Sequence, residues 1–142
     1  MTTRVSYNLQ DALLIRETNF PAGAGTVNSE ALDLECIGER GVRTDPFELL
    51  IIAPEATATH LPASTSNTFS LQFSDDSTFA TGVTEWNAGT AWQQAGSATG
   101  AAEFERRFRP ATDAPRYVRV KCVAAGTTPA QTGKKFQFAI VS

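Results

Sequence analysis

The chain contains few of the residues on which most enzymatic and metal chemistry depends. Among its 142 residues there are one histidine, one methionine and two cysteines. One imidazole and two well-separated thiols, Cys36 and Cys122, do not supply the ligands of a zinc site, and they are too few for a disulfide framework. No apolar run reaches the roughly 18 residues of a transmembrane helix. These shortages count against metalloenzymes, disulfide-rich secreted domains and helical membrane proteins.

What remains is the composition of one ordinary folded domain. Hydrophobic residues make up 42% of the chain and charged residues 19%, and the length is typical of a single domain. We therefore expect one domain over residues 1–142, with residues 1–10 as a candidate N-terminal arm. Residues 1–4 contain no apolar core of a secretory signal, which predicts synthesis in the cytoplasm.

The formal net charge of −3 conceals an uneven distribution of charge along the chain. Residues 1–102 carry four basic and twelve acidic groups, whereas residues 103–142 carry eight basic and three acidic groups. Two interpretations stay open. Either the two segments pair their charges within one fold, or the arginine-rich second segment meets an acidic protein surface. The acidic balance predicts neither a nucleic-acid nor a membrane partner.

Alternation of apolar and polar residues, which is typical of a half-buried strand, recurs along the whole chain. In residues 116–123 (RYVRVKCV), Val118, Val120 and Cys122 face one side and the residues between them face the other. About eight strands are predicted, at residues 11–17, 31–36, 47–53, 69–74, 83–86, 103–109, 116–123 and 136–140. No window of 12 or more residues has the 3.6-residue period of an amphipathic helix.

Turn-forming residues separate these segments. Glycines at positions 82, 89, 96 and 100 predict a long loop over residues 87–102 rather than a helix. Short strands separated by turns predict an all-β fold, namely an antiparallel double-sheet β-sandwich with the jelly-roll arrangement of about eight strands. The edges of such sheets need closure or burial against a partner.

Few residues are candidates for catalysis. His60 is the one base available to a serine nucleophile, but it lies in a loop-like segment and no Gly-x-Ser-x-Gly motif is present. Asp75 and Asp76 are neighbours in a predicted turn, so their carboxylates diverge, and Glu103 and Glu105 are interpreted as ordinary charges on one strand face. We therefore predict no catalytic residue, no cofactor and no enzymatic activity.

The remaining candidate groups have structural interpretations as well as functional ones. Residues 75–78 (DDST) offer oxygen ligands without EF-hand spacing, so a self-capped turn is preferred and no metal site is predicted. Cys36 and Cys122 fall on inward strand faces as buried free thiols. Trp86 and Trp92 lie outside the clearest strands, where each is a candidate to stack on a sugar, anchor a protein interface, or close the open end of the sandwich.

Several of these segments also resemble a known family. The segments are DALL at residues 11–14, ALDL at 31–34, FSLQFSDDSTF at 69–79, RYVRV at 116–120 and GKKFQFA at 133–139. In this order they resemble the jelly-roll capsid cement, or decoration, proteins of tailed bacteriophages, particularly the type found on short-tailed phages. The resemblance does not include residues 87–102 or the pair Arg106 and Arg107.

The resemblance implies a non-enzymatic virion protein that binds the outer surface of the expanded capsid. There it would clamp neighbouring major capsid subunits and stabilise the head against the pressure of packaged DNA. It further implies synthesis in the bacterial host cytoplasm and a homodimer or trimer on a capsid symmetry axis. A carbohydrate-binding jelly-roll module and a tail or fibre component of the virion are the alternatives.

Exposure and residue type, rather than the resemblance, predict which residues contact the capsid. These residues are Trp86, Trp92, Arg107, Arg116 and Arg119. Because Trp92 is predicted to lie in an exposed loop, its replacement by alanine is expected to weaken attachment without unfolding the chain.

Overall fold

The computed structural model of the chain describes residues 15–34, 48–111, 113–126 and 131–141. Within these ranges the elements, in chain order, are β1 (Ile15–Asn19), β2 (Gly25–Asn28), β3 (Leu32–Asp33), β4 (Glu48–Ala53), β5 (Thr65–Ser74), β6 (Thr84–Asn87), a 3-10 helix (Gly89–Trp92), β7 (Gln93–Ala95), β8 (Phe104–Phe108), β9 (Tyr117–Gly126) and β10 (Lys135–Val141).

These strands form two antiparallel sheets. The four-stranded sheet has the order β1-β10-β4-β8. The six-stranded sheet has the order β2-β9-β5-β6, with β3 also beside β9 and β7 also beside β5. Apolar side chains from both sheets pack into one core between them. The predicted all-β, double-sheet β-sandwich is therefore confirmed.

The core follows from the alternation seen in the sequence. Val118, Val120 and Cys122 of β9 have no exposed surface, because every second residue of the strand points between the sheets. Phe69 of β5 lies at the centre of the aromatic part of the core. Its ring centroid is 5.0 Å from that of Phe104 on the opposite sheet and 5.4 Å from that of Phe136.

Two strands, β2 and β7, are missing from the sequence prediction. The 3-10 helix and β7 both lie inside residues 87–102, so the long loop predicted there is wrong over residues 89–95. The sequence of β7, Gln93–Ala95, has no apolar alternation, and the strand is held by pairing with β5. Three predicted strands extend beyond the described residues. The parts that lie outside are residues 11–14, residues 35–36 with Cys36, and residue 47.

An arginine spans the gap between the sheets on each side of the sandwich. Arg16 of β1 and Arg106 of β8 both occupy positions opposite core residues of their neighbouring strands. Arg16 Nε donates to the Ala31 carbonyl at 3.2 Å, and Arg106 Nε donates to the Ala91 carbonyl at 3.0 Å. Since Ala31 and Ala91 belong to connections of the six-stranded sheet, each guanidinium joins an edge strand of one sheet to the main chain of the other.

One end of the sandwich is closed by three buried amides. Asn67 Nδ2 donates to Gln94 Oε1 at 3.2 Å and to Gln131 Oε1 at 2.8 Å, and Gln131 Nε2 donates back to Asn67 Oδ1 at 2.8 Å. Gln94 Nε2 donates to the carbonyls of Pro54 and Ala102 at 2.9 and 3.0 Å. Buried amides need such partners, and this network connects β5 and β7 to segments of the opposite sheet.

The outward face of the four-stranded sheet is partly apolar and already covered. Leu49 and Ile51 belong to the core, so Leu50 between them points outward, opposite Ala139 of β10. Leu50 is nevertheless only 1% exposed and Ala139 only 6%. This part of the outward face is therefore not a surface that an external partner contacts in this conformation.

Candidate functional site

The five residues predicted to contact a partner do not form one patch. Trp86 lies on β6 and Trp92 ends the 3-10 helix, whereas Arg107 lies on β8, and Arg116 and Arg119 lie at and near the start of β9. Arg107 points away from the core of the four-stranded sheet, and Arg119 points away from the core of the six-stranded sheet. Because these faces are on opposite sides of the sandwich, one flat surface cannot contact both arginines.

Trp92 is a core residue. It is only 6% exposed, and its ring centroid lies 4.7 Å from that of Trp86 and 6.4 Å from that of Phe108. The prediction that Trp92 stands in an exposed loop is therefore wrong, although its alternative role in closing the open end of the sandwich agrees with the packing. The glycines around it are compatible with a tight 3-10 turn that directs the indole inward.

Arg107 belongs to a charged cluster on the outward face of the four-stranded sheet. Arg107 Nη1 lies 3.2 Å from Glu48 Oε1, and Arg107 Nη2 lies 3.6 Å from Glu105 Oε2. Arg109 Nη2 lies 3.7 Å from the second oxygen of Glu48. The cluster holds two arginines and two glutamates, so its formal charge is balanced. Both arginines are more exposed than the glutamates, at 44% and 63% against 33% and 34%.

Arg116 makes the shortest ion pair in the described part of the chain, at 2.9 Å to Asp33. Its Nε and Nη2 donate to the two carboxylate oxygens of Asp33 at 3.0 and 2.9 Å, the two-point geometry that strengthens arginine–carboxylate pairs. Its main-chain N–H donates to Asp75 Oδ1 at 2.9 Å. Arg116 therefore fixes the start of β9 to β3 and to the turn after β5.

Arg119 is held in a polar ladder across the six-stranded sheet. Its Nε donates to Gln72 Oε1 at 2.8 Å, and its guanidinium lies 4.2 Å from the ring centroid of Phe79. Partial burial lowers the pKa of the Arg119 guanidinium. Gln72 in turn donates to Glu85 at 3.1 Å. This hydrogen bond, followed by the attraction of Lys121, keeps the pKa of Glu85 below its usual 4.5.

These ion pairs connect the acidic and the basic segments of the chain. Pairs that cross from residues 1–102 to residues 103–142 are Glu17–Lys135, Asp33–Arg116, Glu48–Arg107, Glu48–Arg109 and Glu85–Lys121. The uneven charge distribution is thus largely a consequence of pairing within the fold. Exposed pairs of this kind add little stability individually, but they fix the directions of the side chains.

The other candidates from the sequence have local roles. His60 Nδ1 lies 2.8 Å from Thr57 Oγ1 within a turn. Asp76 accepts hydrogen bonds from the Thr78 N–H at 2.9 Å, from Thr78 Oγ1 at 2.7 Å and from the Ala80 N–H at 3.1 Å. These bonds, first of all the one from the Thr78 N–H, lower the pKa of Asp76 below its usual 3.8. The self-capped turn predicted for residues 75–78 is confirmed.

The remaining titratable groups are scattered. Cys122 is a free thiol whose pKa burial raises to about 12. Glu105 lies within β8, whereas Glu103 precedes the strand. Within the described ranges no three His, Cys, Asp or Glu side chains meet in a metal-binding arrangement, and no helix there has the length and apolar character needed to cross a bilayer.

An apolar groove lies between the edge strands β6 and β8 and is called here the β6–β8 groove. It encloses about 230 Å³. Seven of its lining residues are aromatic, proline or alanine residues: Phe73, Trp86, Phe108, Pro110, Ala111, Ala114 and Pro115. Trp86 and Phe108 are half-buried, so parts of both rings face the groove.

The walls of the β6–β8 groove are fixed by the core behind them. The ring centroid of Trp86 lies 4.5 Å from that of Phe108 and 4.7 Å from that of Trp92, while Phe73 lies 6.3 Å from Phe108. Trp86 is therefore the one predicted interface residue that combines an accessible aromatic surface with a rigid setting. Such aromatic groups in preformed pockets are the usual anchors of protein interfaces.

Comparison with protein-family models and with curated protein sequences finds no match for this chain. A functional interpretation therefore depends on the sequence motifs and on the geometry described above.

Proposed function

We propose that the chain is a non-enzymatic structural protein of a bacteriophage virion that binds the outer surface of the expanded capsid. Its partner is the major capsid protein, and its role is to clamp neighbouring subunits against the pressure of packaged DNA. After synthesis in the host cytoplasm it acts as a homodimer or trimer on capsid symmetry axes. Many copies, each with a modest interface, add up to a large stabilisation of the shell.

The observation that carries this proposal is the order of the strands. β2 and β3 both pair with β9, and β6 and β7 both pair with the same edge of β5. When each of these pairs is counted as one interrupted strand, the described part of the chain has eight strands. The four-stranded sheet then has the order 1-8-3-6 and the other sheet has the order 2-7-4-5. This order supports a double-sheet jelly roll, the fold that the resemblance to capsid cement proteins implies.

The segments that carry the resemblance are central to this fold. Residues 69–74 lie on β5 and residues 117–120 begin β9, and these two strands pair over ten positions. Residues 135–139 lie on β10, the second strand of the other sheet. These segments of the resemblance therefore lie on central strands of both sheets. Similarity on central strands supports a shared fold more strongly than similarity confined to loops.

The binding surface that we propose is centred on the side of the sandwich that carries β6 and β8. Trp86 offers an aromatic anchor there, and Arg107 lies on the adjoining strand with 44% of its side chain exposed. Arg116 and Arg119 are held by contacts within the protein, so we assign them a structural contribution. A jelly-roll sugar-binding module is less well supported, because the β6–β8 groove has few polar side chains with which to recognise hydroxyl groups.

Binding to capsids of defined state tests this function. Purified protein is mixed with expanded and with unexpanded phage heads that lack it, and bound protein is measured after sedimentation. We expect saturable binding to expanded heads, little binding to unexpanded heads, and retention of DNA to a higher temperature when the sites are filled, because a ligand stabilises the state to which it binds. Failure to bind either form would contradict the proposed function.

A further inference from the structure

We propose that the β6–β8 groove receives an extended acidic segment of the partner protein and seats one apolar side chain of that segment against the accessible faces of the Trp86 and Phe108 rings. This inference deepens the proposed function and rests on it for the identity of the partner. Three properties of the groove, namely its lining, its free strand edges and the charge of β8, together select this kind of occupant.

The lining of the β6–β8 groove selects an apolar side chain. Among the described lining residues, only Thr84 and Glu85 contribute polar side chains. The Glu85 carboxylate already accepts from Gln72 at 3.1 Å and pairs with Lys121 at 3.4 Å. A sugar or a charged metabolite requires several convergent polar groups that this lining does not provide. An apolar side chain, in contrast, is desolvated against the rings of Trp86 and Phe108.

The strand edges beside the groove select an extended backbone. Among the described residues β6 pairs with β5 alone and β8 pairs with β4 alone, so each strand has a second edge without a neighbouring strand. An extended segment adds to such an edge through main-chain hydrogen bonds, while a pocket for one side chain supplies specificity. A helix laid into the groove would leave these main-chain groups unused.

The charge of β8 selects acidic residues in that segment. Arg106 donates to the main-chain carbonyls of Ala91 and Glu105 at 3.0 and 2.8 Å, and it has no carboxylate within ion-pair distance in the described part of the chain. Arg109 is 63% exposed, whereas its partner Glu48 is 33% exposed. The positive groups therefore stand further into solvent than the negative ones, which favours an acidic partner.

A blocking substitution tests the groove without removing core contacts. Ala111 is exposed and lines the groove, so Ala111→Tyr is expected to fill it. Ala98 is an exposed alanine outside the groove and provides the matched control, Ala98→Tyr. In titrations against expanded heads that lack the protein, we expect Ala111→Tyr to weaken binding at least about tenfold and Ala98→Tyr to change it less than about twofold. Thermal unfolding checks that both variants fold.

The charge requirement is tested separately with Arg109→Glu, because the Arg109 side chain makes a single long ion pair, at 3.7 Å to Glu48, among the described residues. We expect this variant to weaken binding to heads, and we expect the affinity of the wild-type protein to fall as salt is raised. Binding by Arg109→Glu equal to that of the wild-type protein at low salt would overturn the acidic character of the segment.

The results separate this inference from the proposed function. If the wild-type protein binds expanded heads and Ala111→Tyr binds them equally well, the groove is not the docking site and the proposed function stands. If the wild-type protein does not bind heads, the proposed function fails. Selection from a displayed library of random heptapeptides then tests peptide binding by the groove independently of the capsid. The wild-type protein is expected to select acidic peptides with an apolar residue, and Ala111→Tyr is not. The same selection by both proteins, or by neither, overturns the inference.

Discussion

Replacement of Trp92 by alanine is expected to lower the free energy of unfolding by about 3–5 kcal/mol, the range found when a large buried aromatic side chain is removed. The indole is 6% exposed and packs against Trp86, whose ring centroid lies 4.7 Å away. Its removal leaves a cavity between the sheets at the side where β6 and β8 meet. Urea unfolding followed by circular dichroism measures the loss.

Two further variants make this experiment decisive. Trp92→Phe keeps an aromatic ring in the site and is expected to lose less stability than Trp92→Ala. Trp86→Ala is also expected to lose less, because the Trp86 ring is only half-buried. If Trp92→Ala unfolds at the same urea concentration as the wild-type protein but no longer attaches to heads, the core position of Trp92 is wrong, and the interface role expected from the sequence is restored.

Replacement of Asn67 by leucine is expected to lower the free energy of unfolding by about 3 kcal/mol. Leucine is similar in size, but it cannot bond to Gln94 and Gln131, whose side chains are 4% and 2% exposed. Each buried polar group left without a partner costs about 1–3 kcal/mol. The lower free energy of unfolding therefore comes from buried amide groups of Gln94 and Gln131 that lose their hydrogen-bond partner, and not from a cavity.

A matched asparagine provides the control for this substitution. Asn28 is exposed on β2, and Asn28→Leu is expected to change stability by less than about 0.5 kcal/mol. A double variant, Asn67→Leu with Gln131→Leu, is expected to be less destabilised than the sum of the single variants, because it removes both members of the reciprocal pair. Unchanged stability in Asn67→Leu would show that the amide network makes no net contribution.

Strands could be predicted from the sequence wherever buried and exposed residues alternate with the two-residue period of a strand. Residues 116–123 alternate strictly, and in the structure Val118, Val120 and Cys122 are fully buried. The same signal identifies β5 and β10. Strand β7 could not be found in this way, because the buried side of Gln93–Ala95 is an amide, Gln94, that is satisfied by carbonyls 40 and 8 residues away in the chain.

The candidate site was only partly predictable, because exposure depends on tertiary packing. The sequence places Trp86 at the end of a predicted strand and Trp92 in a predicted loop, yet Trp86 lines the groove and Trp92 lies in the core. The glycines near Trp92 predict a loop but not the direction of its side chain. Likewise, Arg106 is one of several arginines on β8 in the sequence, and only the folded chain shows that it reaches across to Ala91.

The copy number of the protein in purified virions tests the central claim most directly. Quantitative mass spectrometry of virions, with the major capsid protein as internal reference, gives this number. A capsid-binding protein is expected in a fixed ratio to the major capsid protein, on the order of hundreds of copies per particle, because symmetry repeats each site over the shell. A handful of copies would assign the chain to the tail or fibre, and absence from the virion would contradict the proposed function altogether.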